Sequence, residues 1–109
     1  MWFIFPQLRG LGTSVMAKRF GIVDLVEAGA YLRHRPLGAR LRECVSLLVA
    51  APPELTAPDI LGEVDAMKLR SCLTLFRAVG RAGDPFNTAL TRFFGGEADA
   101  RTTRMLRDP

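Results

Sequence analysis

Three side chains with different chemistry sit three residues apart in the middle of the chain: Asp65, Lys68 and Ser71. They fall within a segment whose apolar residues recur at helical spacing. At 100° per residue Asp65 lies near the centre of that apolar stripe, Lys68 flanks it, and Ser71 is on the same side. A carboxylate so placed needs a partner, because an unpaired charge in apolar surroundings is very costly. One reading is structural: Asp65 occupies a first helical turn, gains from the macrodipole and pairs with Lys68 or a nearby arginine. The other is a pocket in which Lys68, Ser71 and Arg40 bind an anionic or polar ligand.

His34 is the single histidine, the residue type that changes charge near neutral pH. As a general base it would need an orienting carboxylate and a substrate within hydrogen-bond reach. Its predicted place at a helix C-terminus already gives it a structural role. Gln7, Ser14 and Thr74 are polar residues in otherwise apolar stretches. Gln7 suits a buried hydrogen-bonding post for the loop marked by Gly10 and Gly12. Asp99 and Thr102 have the spacing of an N-cap and its N3 partner. Gly10 and Gly12 make no dinucleotide fingerprint, and neither metal-ligand spacing, a nucleophile elbow nor a Walker-type loop occurs. No cofactor is expected.

The elements that position these residues follow from Gly, Pro and capping punctuation. Residues 1–8 read either as a helix end or as an extended apolar segment. Thr13 or Ser14 caps a short helix through Phe20. Asp24 and Glu27 have capping-box form and start a helix to about His34. Pro36 suits the first turn of the next, where Leu37, Leu41, Cys44, Val45 and Leu48 trace one buried face until Pro52 and Pro53. Thr56 opens a single turn closed by Gly62. The longest helix runs from about Glu63 to Val79, with Leu69, Cys72, Leu73, Phe76 and Val79 as its stripe. Asp84 and Pro85 read as a cap and first residue for a helix carrying Phe86, Leu90, Phe93 and Phe94. Asp99 starts a last short helix through Leu106. No stretch alternates with period two, so a sheet is not expected. The expectation is an all-α fold: a compact orthogonal bundle of six to seven mostly short helices, forming one domain over residues 1–109.

Composition narrows the function classes. Of 109 residues, 49% are hydrophobic, which argues against disorder. Two cysteines on predicted apolar faces behave as small hydrophobes and suit a reducing compartment. No apolar run approaches the roughly 20 residues of a membrane span, and the start lacks the charged region of a signal peptide. A cytoplasmic location is therefore expected. Thirteen arginines against two lysines give a net charge of +4. Arginine favours bidentate contact with phosphate or carboxylate, and its densest stretch holds Arg33, Arg35, Arg40 and Arg42. Acidic residues are interspersed, however, and no basic-aromatic interleaving of an RNA-binding motif occurs. A solvated surface is the simpler reading, and nucleic acid is a weaker one.

The first six residues are unusually apolar for a terminus, holding Trp2, Phe3, Ile4 and Phe5. Burying three aromatics is worth several kcal/mol at about 25 cal/mol/Å², and leaving them exposed makes a sticky patch. The expectation is that an element normally preceding Met1 is absent, with self-association through Trp2, Phe3 and Phe5 as another way to cover them.

The run from Met1 to Gly12 with Trp2, Phe3, Ile4, Phe5, Pro6 and Gln7, then Phe20, Gly21 and Ile22, resembles the signature of the bacterial domain of unknown function 1810 family. So do Leu61 and Gly62, the run from Asp65 to Ser71, and Phe93, Phe94, Gly96, Asp99, Thr102 and Leu106. The resemblance spans essentially the whole chain. It implies an all-α protein without an assigned biochemical role; some members carry the label calpastatin, which has no mechanistic weight for a compact helical domain. Family members usually have thirty to forty residues, including an amphipathic helix, before this motif, and have proline directly after the histidine where this chain has Arg35 and then Pro36.

The combined reading is a small helical domain that binds an unknown small ligand or protein without chemistry. The alternative is an enzyme of unrecognised type around His34, Arg40, Asp65, Lys68 and Ser71. Nucleic-acid binding through residues 33–42 comes third.

Overall fold

In the computed structural model, residues 5–11 and 21–107 are described. The helix read from Thr13 or Ser14 to Phe20, the site candidate Ser14, and Trp2 and Phe3 lie outside them. The described residues form six helices: α1 (Leu25–Arg33), α2 (Arg35–Val49), α3 (Ala57–Leu61), α4 (Glu63–Val79), α5 (Phe86–Phe94) and α6 (Ala100–Arg107). There are no strands among them. Residues 5–9 form no helix and meet the chain again at one isolated bridge between Leu8 and Ile22, where Ile22 N–H donates to Gln7 O and Arg9 N–H to Ile22 O, both at 2.7 Å.

Local chemistry explains most boundaries. Asp24 accepts from Glu27 N–H at 2.9 Å, while the Glu27 carboxylate reaches one residue beyond the expected box and accepts from Val23 N–H. Thr56 and Asp59 form a complete capping box for α3. Gly95, with φ of 63°, closes α5 in the left-handed conformation. The expectation that Asp84 caps α5 fails: Pro85 is the N-cap and no side chain caps the helix.

The core is organised around α4, which packs against α1, α3, α5 and α6, while α2 packs against α1 and α5. Six consecutive residues, Ser71 to Phe76, are buried. The sequence spacing describes a stripe; the structure encloses the helix on every side over this stretch. Phe76 stacks at tilted angles between Tyr31 of α1 and Phe86 of α5, with ring centroids 5.4 and 5.9 Å away. Phe5, Leu8 and Ile22 belong to the same core cluster, so Phe5 is covered within the chain itself.

Enclosure forces the polar side chains of α4 inward on their own helix. Ser71 Oγ donates to Met67 O, and Thr74 Oγ1 donates to Arg70 O at 2.8 Å. Thr74 Oγ1 then accepts from Asp99 N–H at 2.8 Å. The Asp99 carboxylate caps α6, accepting from Thr102 N–H and from the Thr102 hydroxyl at 2.8 and 2.6 Å. Thr102 is fully buried, and this relay is what seats α6 on α4.

Replacing Phe76 with alanine should lower unfolding free energy by about 3–5 kcal/mol in urea denaturation, the usual cost of emptying a large aromatic site. Met67→Ala, on the exposed first turns of the same helix, should stay within about 0.5 kcal/mol.

Candidate functional site

Of the side chains singled out by sequence, Asp65 and Lys68 meet as the structural reading has it, and the described remainder do not converge on them. Asp65 is in the first turn of α4 with its side chain 43% exposed, and it faces Lys68 Nζ at 4.0 Å. The buried positions of the helix are its neighbours Ala66 and, one turn on, Leu69. Ser71 is engaged with its own helix. Arg40 is exposed on α2. His34 sits between two helices: its N–H donates to Ala30 O, ending α1, while Nδ1 accepts from Leu37 N–H at 3.5 Å as the N-cap of α2. The residue is thus at a helix start as much as at a helix end.

Gln7 is buried, and its Nε2 has no hydrogen-bond partner among the described residues. In the described part of the loop it was expected to serve, two carbonyls meet another partner. Arg101 of α6 donates to Leu11 O at 3.2 Å and to Gly10 O at 3.3 Å.

What the fold does bring together is arginine. Arg33 from the end of α1, Arg35 and Arg42 from α2, and Arg81 from the loop after α4 line one open cleft of about 740 Å³. Gly29, Leu32, Ala39 and Val79 complete its walls. Gln7, His34, Arg40, Asp65, Lys68 and Ser71 do not line it, whereas Arg33, Arg35 and Arg42 come from the basic stretch 33–42. A second cleft of about 550 Å³, between Leu8, residues 23–26 and Met105 and Leu106, is largely apolar.

Arg42 is the fixed member of the set. Its Nε donates to Asp84 Oδ1 at 2.7 Å and its Nη2 to Asp84 Oδ2 at 3.4 Å, while Nη1 donates to Leu32 O at 3.2 Å. The side chains of Arg42 and Asp84 are 22% and 9% exposed. Asp84 also accepts from Arg81 N–H at 2.9 Å. Two glycines make room for this arrangement. A Cβ on Gly38 would lie 2.1 Å from Leu32 O and 3.0 Å from Arg42 Nη1; one on Gly80 would lie 3.0 Å from Asp84 Oδ2. Each would displace an atom of the ion pair or the carbonyl beside it.

Burial pushes the Asp84 carboxyl up, but the hydrogen bonds from Arg42 and Arg81 N–H, with the charges of both arginines, outweigh it and hold the group below its ordinary range. The remaining ion pairs among the described residues are Asp65–Lys68 and Arg70–Glu97, so Arg33, Arg35 and Arg81 face no carboxylate within salt-bridge distance there. The cleft therefore carries a surplus of three positive charges. Its lining holds no thiol, hydroxyl, imidazole or carboxylate, and no cluster of metal-binding side chains occurs among the described residues. No described helix is long and apolar enough to cross a membrane.

The model of the family described as "Protein of unknown function (DUF1810)" matches residues 1–106. The crystal structure of the conserved hypothetical protein Rv1873 from Mycobacterium tuberculosis is similar, with a TM-score of 0.94 and 44% sequence identity. The match covers 99% of this chain and 76% of that one. No curated protein matches.

Because the folded Asp84 carboxyl is lowered, its contribution is complete above the unfolded value near pH 4 and is lost as pH falls through the folded value. Asp84→Asn should cost about 1–3 kcal/mol at pH 7. In urea titrations the gap between the two proteins should hold down to about pH 5 and narrow below pH 4.

Proposed function

We propose that this chain, which belongs to the DUF1810 family of proteins of unknown function, is a binding domain that takes a small anionic ligand in the arginine cleft and performs no chemistry on it. The convergence of Arg33, Arg35, Arg42 and Arg81 on one concavity carries this reading. Clustered guanidinium groups repel one another, and an anion that enters between them removes that cost while gaining charge-assisted hydrogen bonds.

The local electrostatics support it. The first turn of α2 contains Arg35 and no acidic residue, the reverse of the usual preference for carboxylates there. An anion in the cleft supplies the missing negative charge. The size also fits, since small-molecule sites commonly enclose about 300–1,000 Å³. The described lining supports a binding role: guanidinium groups and aliphatic carbons orient an anion.

The test is titration with sodium pyrophosphate at low ionic strength, followed by calorimetry and melting temperature. Binding should raise the melting temperature by linkage. The double variant Arg35→Ala, Arg81→Ala should weaken it by about ten- to a hundredfold, while Arg104→Ala on exposed α6 leaves it unchanged. Absence of binding, or equal binding by the double variant, would refute the proposal.

A further inference from the structure

Resting on that reading, we infer that the ligand is an organic phosphate of at least two negative charges, with its phosphate on Arg42 and its apolar or planar body along Val79 and Ala39. Three observations lead to this chemical class.

Charge comes first. Of the four cleft arginines only Arg42 is paired with a carboxylate among the described residues. A monocarboxylate would leave most of the surplus uncompensated. A phosphate monoester or diphosphate brings two or more charges and three or more acceptor oxygens on one small group.

Next is the state of Arg42. A guanidinium has five N–H donors, and Asp84 and Leu32 O occupy three of them. One N–H therefore remains on each of Nη1 and Nη2. The side chain is already oriented from two directions, so it offers those donors without the ordering cost that the exposed Arg33, Arg35 and Arg81 must meet. Asp84 is a positioning residue here: it aims Arg42 and touches no ligand.

The last observation is the rest of the wall. Leu32 and Val79 are aliphatic, and Gly29 and Ala39 are small. Arg33 lies back across Gly29, where a Cβ would come 3.2 Å from its Nη1. A guanidinium that orders beside this wall offers a flat face on which a planar body stacks. Free phosphate would leave this half of the cleft empty.

Three probes separate the parts: phenyl phosphate, inorganic phosphate and benzoate, titrated at equal ionic strength and pH 7.5 by calorimetry. Phenyl phosphate should bind about tenfold tighter than either of the others. Val79→Thr, nearly the same in shape, should remove several-fold of that preference and leave inorganic phosphate unchanged. Arg42→Lys keeps the charge but cannot hold Asp84 and Leu32 O while still offering two donors; it should weaken phenyl phosphate about tenfold, against about twofold for Arg35→Lys. Melting temperatures of the variants report whether each is folded. Inorganic phosphate binding as tightly as phenyl phosphate, or Arg42→Lys behaving like Arg35→Lys, would overturn this inference and leave the anion-binding reading standing. Failure of all three probes together with pyrophosphate would overturn both.

Discussion

The middle of α4 has no wet side, and most of the molecule follows from that. A helix buried through six consecutive residues must be covered by neighbours in every direction, which α1, α3, α5 and α6 provide. It also cannot leave a hydroxyl unanswered, since an unsatisfied buried polar group costs about 1–3 kcal/mol. Ser71 and Thr74 bond back to carbonyls one turn earlier, a local solution available to short hydroxyl side chains in a helix. Thr74 then has a lone pair to spare, and the Asp99 amide takes it. The attachment of the last helix thus depends on a polar residue that burial would ordinarily disfavour.

Enclosure of the middle leaves the ends of α4 as the wet regions, and they differ. At the first turn Asp65 and Lys68 form a half-exposed pair, worth little in solvent. Beyond the last turn, Arg42 reaches across from α2 to Asp84, and the pair is largely out of water. Desolvating two charges is costly, so this pair persists only because each partner has further bonds: Leu32 O for the arginine, Arg81 N–H for the carboxylate. Gly38 and Gly80 contribute by being small. The cleft is the space left beside this construction of loop and helix ends.

Sequence periodicity located the described helices well, because capping and turn chemistry act within three or four residues. Asp24, Thr56, Gly95 and Asp99 all perform roles readable from their neighbours. Where a side chain has a choice of partners, local reading breaks down. Asp84 has the form of an N-cap, but a guanidinium 42 positions away competes with a backbone amide and wins, because the bond is charge-assisted on both sides. Arg101 reaches about ninety residues back to the loop assigned to Gln7. Asp65 is misplaced for another reason: the helical wheel gives direction around the axis, whereas burial also depends on position along it. The arginines of residues 33–42 were visible as a basic stretch, but Arg81, which turns that stretch into one wall of a cleft, has no sequence signal linking it to them.

The cleft arginines differ from a solvated basic surface in what surrounds them. Arg33 is in the last turn of α1, where carbonyl ends favour a cation, so one basic residue there needs no ligand to account for it. Arg92 shows what such a role looks like when it is structural: its guanidinium donates to Leu48 O, Val49 O and Pro52 O at the end of α2 and stacks on Phe93 at 4.5 Å. Every part of that side chain has work within the fold. The cleft arginines divide differently. Arg42 is bound but keeps two donors in reserve, and Arg35 stands at a helix start, where its charge opposes the dipole. A surface arginine in an unfavourable field can simply move away into solvent; four that converge on a concavity with aliphatic walls cannot all do so without vacating it. The arrangement makes electrostatic sense once a negative group shares the space.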